Sequence, residues 1–177
     1  GLVVGAGESD AAQALKGKMV GVFGGGMYTQ YRSVNISQCL PLLDGTTAEQ
    51  GASCFVNPMT VLGMIETMRM EGHTALVHTA AASNLGKMLN RVCLADEIGL
   101  TNIVRSSEQV DILTRQGSLH TVDSSQENFT EELTNAISET EATLGFDAIG
   151  GGNLAGQILS CMERSAQSRV ASFSAYG

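Results

Sequence analysis

The sequence predicts an α/β fold in which a doubly wound parallel sheet carries helices on both faces. From residue 74 onward, short runs of β-forming residues alternate four times with segments of helical spacing. Turn residues or helix-start signals separate most of these segments. Successive strand–helix units of this kind bring their strands into one parallel sheet, with the connecting helices packed against it.

The individual units are predicted from apolar runs, caps and helical periodicity. Strands are expected over residues 74–78, 102–105, 119–122 and 144–149. Helices are expected over residues 86–98, from the capping-box spacing of Ser106 and Gln109 onward, along the stripe Phe129, Leu133, Ala136 and Ile137, and from Asn153 to Met162. The Ser- and Ala-rich tail, residues 167–177, is expected to fray.

The chain before these units has a different composition. Residues 1–46 carry short β-like pieces over residues 2–4, 19–23 and 28–36, broken by glycine and ended by turn signals at residues 40–45. From Thr47 the pattern becomes helical: Thr47 and Gln50 have capping-box spacing, and Asn57-Pro58 reads as an N-cap followed by proline at the first position of a helix that closes near Gly72. We therefore expect a domain boundary between residues 46 and 47.

Composition limits the class of partner. The chain has 177 residues, with ten Lys and Arg and eighteen Asp and Glu, which gives a formal net charge of −8. Nucleic acids and anionic membranes need clustered cations, so neither is expected as a partner. The four cysteines form no CxxC pair and no apolar run is long enough to span a membrane, which favours a cytoplasmic protein with reduced thiols.

One turn has the order of a dinucleotide-binding site. Small and hydroxylated residues join the first of the four strands to its helix, so the glycines of a GxGxxG pattern fall on Ala81, Ser83 and Gly86. Such a turn lets backbone amides approach a pyrophosphate at the helix N-terminus. Two of the three glycines are replaced, and any strand-to-helix turn favours small residues. A phosphate site and an ordinary tight turn both remain open.

The next strand ends at Arg105, where an NAD-binding fold usually has an acidic residue for the ribose 2′-hydroxyl. With Ser106 and Ser107 beside it, Arg105 is suited to a 2′-phosphate, which favours NADP over NAD. The alternative is a solvated arginine at a strand end.

The glycines at 150–152 let the backbone pass close to a nicotinamide ribose, or only permit a tight turn. Asp147 is interpreted as a structural hydrogen-bonding carboxylate rather than a base. The histidines lack metal-binding spacing, and nucleophile-elbow, P-loop, HExxH and Tyr-x-x-x-Lys patterns are absent from the sequence, so no catalytic residue is assigned.

Taken in order, several segments resemble one family, the medium-chain dehydrogenase/reductases, in their zinc-independent, quinone-oxidoreductase-like branch. The segment Gly26-Met-Tyr-Thr-Gln-Tyr-Arg-Ser-Val34 is similar to the family's Gly-x-Tyr-Ala-Glu-Tyr-x-x-Val. Further similar segments are Leu40-Pro-Leu, Asp44-Gly, Gly51-Ala, Asn57-Pro-Met-Thr-Val61, Gly117-Ser-Leu-His-Thr-Val-Asp-Ser124 and Phe146-Asp-Ala-Ile-Gly-Gly151. In this alignment Ser124 stands where the family often has a cofactor-contacting tyrosine.

The resemblance implies a partial GroES-like catalytic-domain segment in residues 1–46 and a Rossmann-type NAD(P)-binding domain, C-terminally incomplete, in residues 47–177. It implies hydride transfer between NADPH and a quinone, enone or aldehyde, with no zinc, in an enzyme that is expected to be a homodimer. Family members are longer, so we expect this chain to be a fragment that is inactive alone. The implied cofactor-binding residues are Asn57, Thr60, Ala81, Ser83, Asn84, Leu85, Gly86, Arg105, Ser106, Gly150 and Gly151.

Three other functions remain open. A nucleotide-binding module without chemistry of its own would bind cofactor but not turn over. An adenosylmethionine-dependent methyltransferase also uses a small-residue loop after its first strand, but usually ends the second strand with an acidic residue, and Arg105 argues against it. A purely structural α/β domain is the third.

Overall fold

A computed structural model describes the backbone of residues 1–174 and the side chains of residues 1–169. Of the tail predicted to fray, residues 167–174 instead continue the last helix, and residues 175–177 lie outside this description. The chain divides into two compact units, Gly1–Met59 and Thr60–Gly177. The division falls inside a helix, later in the chain than the change of composition at residue 47.

The first unit contains a small antiparallel sheet. Its two strands are β1 (Val20–Val22) and β2 (Cys39–Pro41), paired so that Gly21 faces Leu40. The helices are α1 (Asp10–Gln13), α2 (Ala48–Ala52) and the beginning of α3 (Val56–Met70). The predicted capping box at α2 is confirmed, since the Gln50 amide donates to Thr47 Oγ1 at 3.2 Å and the Thr47 amide donates to Gln50 Oε1 at 3.0 Å.

The β predictions for this unit are correct only around β1. Residue Leu2 makes a single bridge to Met19, residues 28–36 form no strand, and β2 lies where turn signals were expected. At the end of the second of these segments, Asn35 caps a 3₁₀ turn over Ile36–Gln38, and its side chain accepts from the Ser37 amide at 3.0 Å. A short polar side chain that satisfies the backbone in this way competes with strand formation.

Helix α3 begins earlier than the Asn57-Pro58 signal predicts. It starts at Val56, so Pro58 is its third residue rather than its first. Proline is tolerated there because amides of the first helical turn have no intrahelical acceptor to lose. The end of the helix agrees with the prediction: Gly72 has φ +77° and the His73 amide donates to the Met68 carbonyl at 2.9 Å.

The second unit confirms the predicted doubly wound α/β fold. Its four parallel strands lie in the order β5-β4-β3-β6. They are β3 (Ala75–His78), β4 (Gly99–Val104), β5 (His120–Asp123) and β6 (Leu144–Phe146). The helices are α4 (Asn84–Ala95), α5 (Ser107–Thr114), α6 (Phe129–Thr140) and α7 (Leu154–Ser174).

Three differences from the sequence-based prediction concern the site. Strand β4 runs from Gly99 to Val104 and not over residues 102–105, so Arg105 follows the strand. Strand β6 ends at Phe146, not at residue 149, because the backbone leaves the sheet where Asp147 binds the amide of Ile149 at 3.0 Å. At α5 only half of the expected capping box forms. The Gln109 amide donates to Ser106 Oγ at 3.4 Å, but the Gln109 side chain accepts from the Arg105 amide at 3.1 Å instead of from Ser106.

The core of the second unit lies on both faces of the sheet. Alternate residues of a strand point to opposite faces, and in β3 Val77 packs in a cluster with α6 and α7, whereas Leu76 packs with α3 and α4. The predicted α6 stripe is confirmed, because all four of its members are buried: Phe129, Leu133, Ala136 and Ile137. Among residues 1–174, no helix is long and apolar enough to cross a membrane.

Candidate cofactor-binding site

Apart from Thr60, the residues predicted to bind a cofactor in the second unit follow three strands of one parallel sheet. A turn at residues 79–83 follows β3, Arg105 follows β4, and a loop at residues 147–153 follows β6. Because parallel strands end at the same edge, these segments share the carboxyl edge of the sheet, where open α/β sheets bind ligands.

The turn after β3 is tightly held. Ala80 adopts φ +51°, a left-handed conformation that is unusual for a residue with a side chain. Its carbonyl accepts from the Ser83 amide at 2.9 Å, and the Ala81 amide donates to the Ile103 carbonyl of β4 at 3.2 Å. Two neighbouring strand ends are thereby joined at the turn.

The two replaced glycine positions have structural explanations. The Ala81 side chain is fully buried in a cluster with Val104 and Leu113, so its methyl group contributes to the core and does not block the outer surface of the turn. Ser83 is the N-cap of α4, and its hydroxyl oxygen accepts from the Gly86 amide at 3.1 Å. Ser83 thus engages the Gly86 amide, whereas its hydroxyl makes no described hydrogen bond to the amides of Asn84 and Leu85.

The third glycine position requires glycine. A Cβ at Gly86 would lie 2.6 Å from the Cα of Ala81, closer than real side chains approach, with the Ala81 carbonyl also in contact. The start of α4 is therefore packed directly on the turn. The amides of Asn84 and Leu85 belong to the first turn of α4 and have no intrahelical acceptor, so they and the helix dipole favour an anion.

Arg105 lies one strand away from this turn. It follows the last residue of β4 directly, its side chain is exposed, and Ser106 is the N-cap of α5. The Ser124 amide donates to the Val104 carbonyl at 2.8 Å, which places Ser124 beside the end of β4. The guanidinium of Arg105 and the hydroxyl of Ser106 are thus close in sequence at this strand end, and such donors suit a phosphate.

The glycine loop after β6 is exposed and held by few groups. Gly150, Gly151 and Gly152 have φ of +68°, +73° and +62°, a conformation that residues with side chains rarely adopt. Asp147 binds the start of this loop, and hydrogen bonds from the Ile149 amide and from Thr79 keep the pKa of its carboxyl below the ordinary value. This agrees with the structural interpretation of Asp147.

His78 lies beneath the site at the end of β3. It is fully buried, and neither ring nitrogen has a hydrogen-bond partner among the described residues. Burial lowers its pKa because it disfavours the charged imidazolium, although the Phe146 carbonyl and the Asp147 carboxylate act in the opposite direction.

The two remaining predicted residues lie on α3. Thr60 is half-buried in the second unit, and Asn57 belongs to the first unit, in the first turn of the helix.

Two residues of the site were not predicted from the sequence. The Thr79 side chain binds the loop after β6, and the Gln109 side chain binds the backbone of Arg105. No sequence pattern pairs Thr79 with Asp147, because the two residues are 68 positions apart. In the described part of the chain, no group of three or more His, Cys, Asp or Glu is arranged to hold a metal ion.

Comparison with known proteins relates the chain to reductases. No protein-family model and no curated protein matches the sequence. Among solved structures, a protein assigned as an NADPH:quinone reductase from Mesorhizobium loti is 30% identical, with a TM-score of 0.79 over 92% of this chain and 48% of that one. A similarly assigned protein from Bacillus thuringiensis is 22% identical, with a TM-score of 0.71 over 82% of this chain and 44% of that one.

A more distant structure shares the fold. The quinone oxidoreductase of Escherichia coli, solved in complex with NADPH, is 17% identical, with a TM-score of 0.58 over 68% of this chain and 37% of that one. The chain spans 48% and 44% of the lengths of the two reductases from Mesorhizobium loti and Bacillus thuringiensis. By its 30% identity to the Mesorhizobium loti protein over 92% of its length, the chain belongs to the medium-chain dehydrogenase/reductase superfamily.

Proposed function

We propose that this chain is the cofactor-binding part of an NADPH-dependent oxidoreductase of quinone-reductase type, which transfers hydride to a quinone, an enone or an aldehyde. The observation that carries the proposal is the position of Arg105, exposed at the end of β4 beside the turn that leads into α4. The likeness to the Mesorhizobium loti protein supports the cofactor and the reaction class.

The residues fit the proposed cofactor. The turn from Ala81 to Gly86 offers first-turn amides and has no room for a side chain at Gly86, which suits a pyrophosphate. Arg105 and Ser106 would bind the 2′-phosphate by charge-assisted hydrogen bonds. The exposed backbone at Gly150 and Gly151 would lie along the nicotinamide ribose, and the family resemblance adds Asn57 and Thr60 near the nicotinamide or pyrophosphate.

In this proposal the chemistry is mainly that of the cofactor. When bound, NADPH supplies the hydride, and the residues of this chain bind and orient it and exclude water. No residue of the chain is assigned to proton transfer. The proposal also includes residues 1–46 as a partial GroES-like segment, residues 47–177 as the Rossmann-type domain, a zinc-independent reaction and a cytoplasmic location.

Titration with NADPH and with NADH, followed by calorimetry, tests the cofactor. NADPH is expected to bind more tightly than NADH. Arg105→Asp should weaken NADPH by about 1.5–3 kcal/mol, as expected for a hydrogen bond to a charged group, and should affect NADH much less. Arg115→Asp is the matched control, because this exposed arginine lies at the other end of α5 and carries the same change of charge.

Equal losses for the two nucleotides in Arg105→Asp would contradict the role of Arg105. A longer form of the protein can then be tested for reduction of quinones and enones with NADPH. If it binds NADPH but reduces none of them, the alternative of a nucleotide-binding module without chemistry of its own is favoured.

A further inference from the structure

Two side chains join the turn after β3 to the loop after β6. Thr79 Oγ1 donates to Asp147 Oδ1 at 2.9 Å and accepts from the Ala148 amide at 2.8 Å. The same Asp147 oxygen accepts from the Ile149 amide at 3.0 Å. We call this pair, Thr79 and Asp147, the latch.

The latch acts beyond the sheet itself. The paired register of β3 and β6 ends at His78 and Phe146, and one further backbone bond follows, from the Thr79 amide to the Phe146 carbonyl at 3.2 Å. Beyond this bond, the segments that follow β3 and β6 are connected through the side chains of Thr79 and Asp147. Thr79 is fully buried, so its hydroxyl position is set by the surrounding core.

The glycine loop depends on the latch because little else holds it. A Cβ built on any of Gly150, Gly151 or Gly152 would have no atom within 4 Å. Glycine loses more conformational freedom on ordering than any other residue, so packing does not define this loop. The Asp147 carboxylate binds the Ile149 amide, and the Gly150 amide also helps to lower the pKa of Asp147, as a donor to the ionised carboxylate does.

We propose that Thr79 and Asp147 are positioning residues that hold the glycine loop ready for the nicotinamide half of the cofactor, whereas the adenine half is bound independently of them. The inference rests on the proposed function. Arg105 and Ser106 follow β4, and no hydrogen bond of the latch reaches them. The two halves of the cofactor are therefore expected to respond differently when the latch is removed.

The test compares NADPH with adenosine 2′,5′-bisphosphate, which carries only the adenine half. Calorimetric titration of Asp147→Ala should show NADPH affinity reduced by about tenfold or more, because the hydrogen bonds that position the loop are lost, with the affinity for the bisphosphate unchanged. Asp147→Asn should retain most of the NADPH affinity, since its amide oxygen accepts from Thr79 and Ile149. Asp111→Ala, at an exposed aspartate of α5, is the matched control and should change neither affinity.

Thr79→Val provides a second route that leaves the carboxylate in place. It keeps the shape of the side chain and removes the hydroxyl, so it should also weaken NADPH selectively. Equal losses of affinity for both ligands in both variants, or no loss of NADPH affinity, would contradict the positioning role of Thr79 and Asp147. If the wild-type protein binds both the bisphosphate and NADPH, the proposed function stands whatever the variants show. If the wild-type protein binds neither ligand, both proposals are wrong.

Discussion

At the scale of single residues, we expect His78 to make the stability of the second unit depend on pH. Its pKa in the folded chain lies below the ordinary value of 6.5 because the ring is buried. As the pH falls through about 6.5, the unfolded chain binds a proton that the folded chain does not, so stability is lost with acidification until the folded pKa is reached. His78→Leu should remove this part of the acid sensitivity.

Urea unfolding at about pH 7.5 and about pH 5.5, on either side of the ordinary histidine pKa, measures the effect. The loss of unfolding free energy between the two pH values should be smaller in His78→Leu than in the wild type. At the higher pH the variant should be as stable as the wild type or more so, because an unpartnered buried polar group is replaced by an apolar one. His120→Leu is the control, at a half-buried histidine whose Nδ1 lies 3.2 Å from Glu139 Oε2. If His120→Leu removed the pH dependence of stability and His78→Leu did not, the role of His78 would be contradicted.

Other residue-scale features were outside the reach of sequence reasoning. Ala81 and Ser83 look like lost glycines, yet one fills the core and the other caps a helix. The left-handed residue of the turn is Ala80, one position before the glycine position that the motif alignment assigns. The Ala81 amide, next to Ala80, donates to the Ile103 carbonyl of β4. This contact is remote in sequence, so the motif does not reveal that Ala80 takes the left-handed conformation.

At the scale of elements, the unit formed by β3, its turn and α4 depends on the absence of a side chain at Gly86. Gly86→Ala should destabilise the protein by about 1–3 kcal/mol, the usual range for an overpacked site, because the new Cβ meets backbone atoms of Ala81. Gly63→Ala is the matched control within α3. Its Cβ would meet nothing within 4 Å, so the helix should gain about 1 kcal/mol.

The two substitutions are expected to change the urea midpoint in opposite directions. Gly86→Ala should also weaken NADPH, because the turn and the first amides of α4 must shift together. Equal stabilisation by both substitutions would show that the start of α4 is not in direct contact with the turn.

Elements with a strong amphipathic pattern were predictable. The α6 stripe is buried as expected because helical spacing alone puts its four members on one face. The strands of the first unit were predicted poorly, since β1 and β2 have three residues each and their pairing depends on contacts remote in sequence. The end of β6 was predicted three residues too late, because the hydrogen bonds of Asp147, not the apolar pattern, end the strand.

At the scale of the whole molecule, the sheet edges predict self-association. In the described sheet, β5 and β6 are the edge strands, and an edge strand presents unpaired backbone groups that favour pairing with another chain. We therefore expect a dimer in sedimentation velocity experiments at raised protein concentration, as the family resemblance also implies. A single monomeric species over the whole concentration range would contradict this expectation.

The sequence by itself determined the fold class, the acidic charge balance and the family. Strand and helix periodicities are local, and the order of motifs along the chain is independent of how they meet in space. Tertiary structure decided which groups act together at the carboxyl edge of the sheet. The Thr79 and Asp147 latch, the steric demand at Gly86 and the burial of His78 arise between residues that are separated in sequence or differently exposed, so they appear only when the strands are placed side by side.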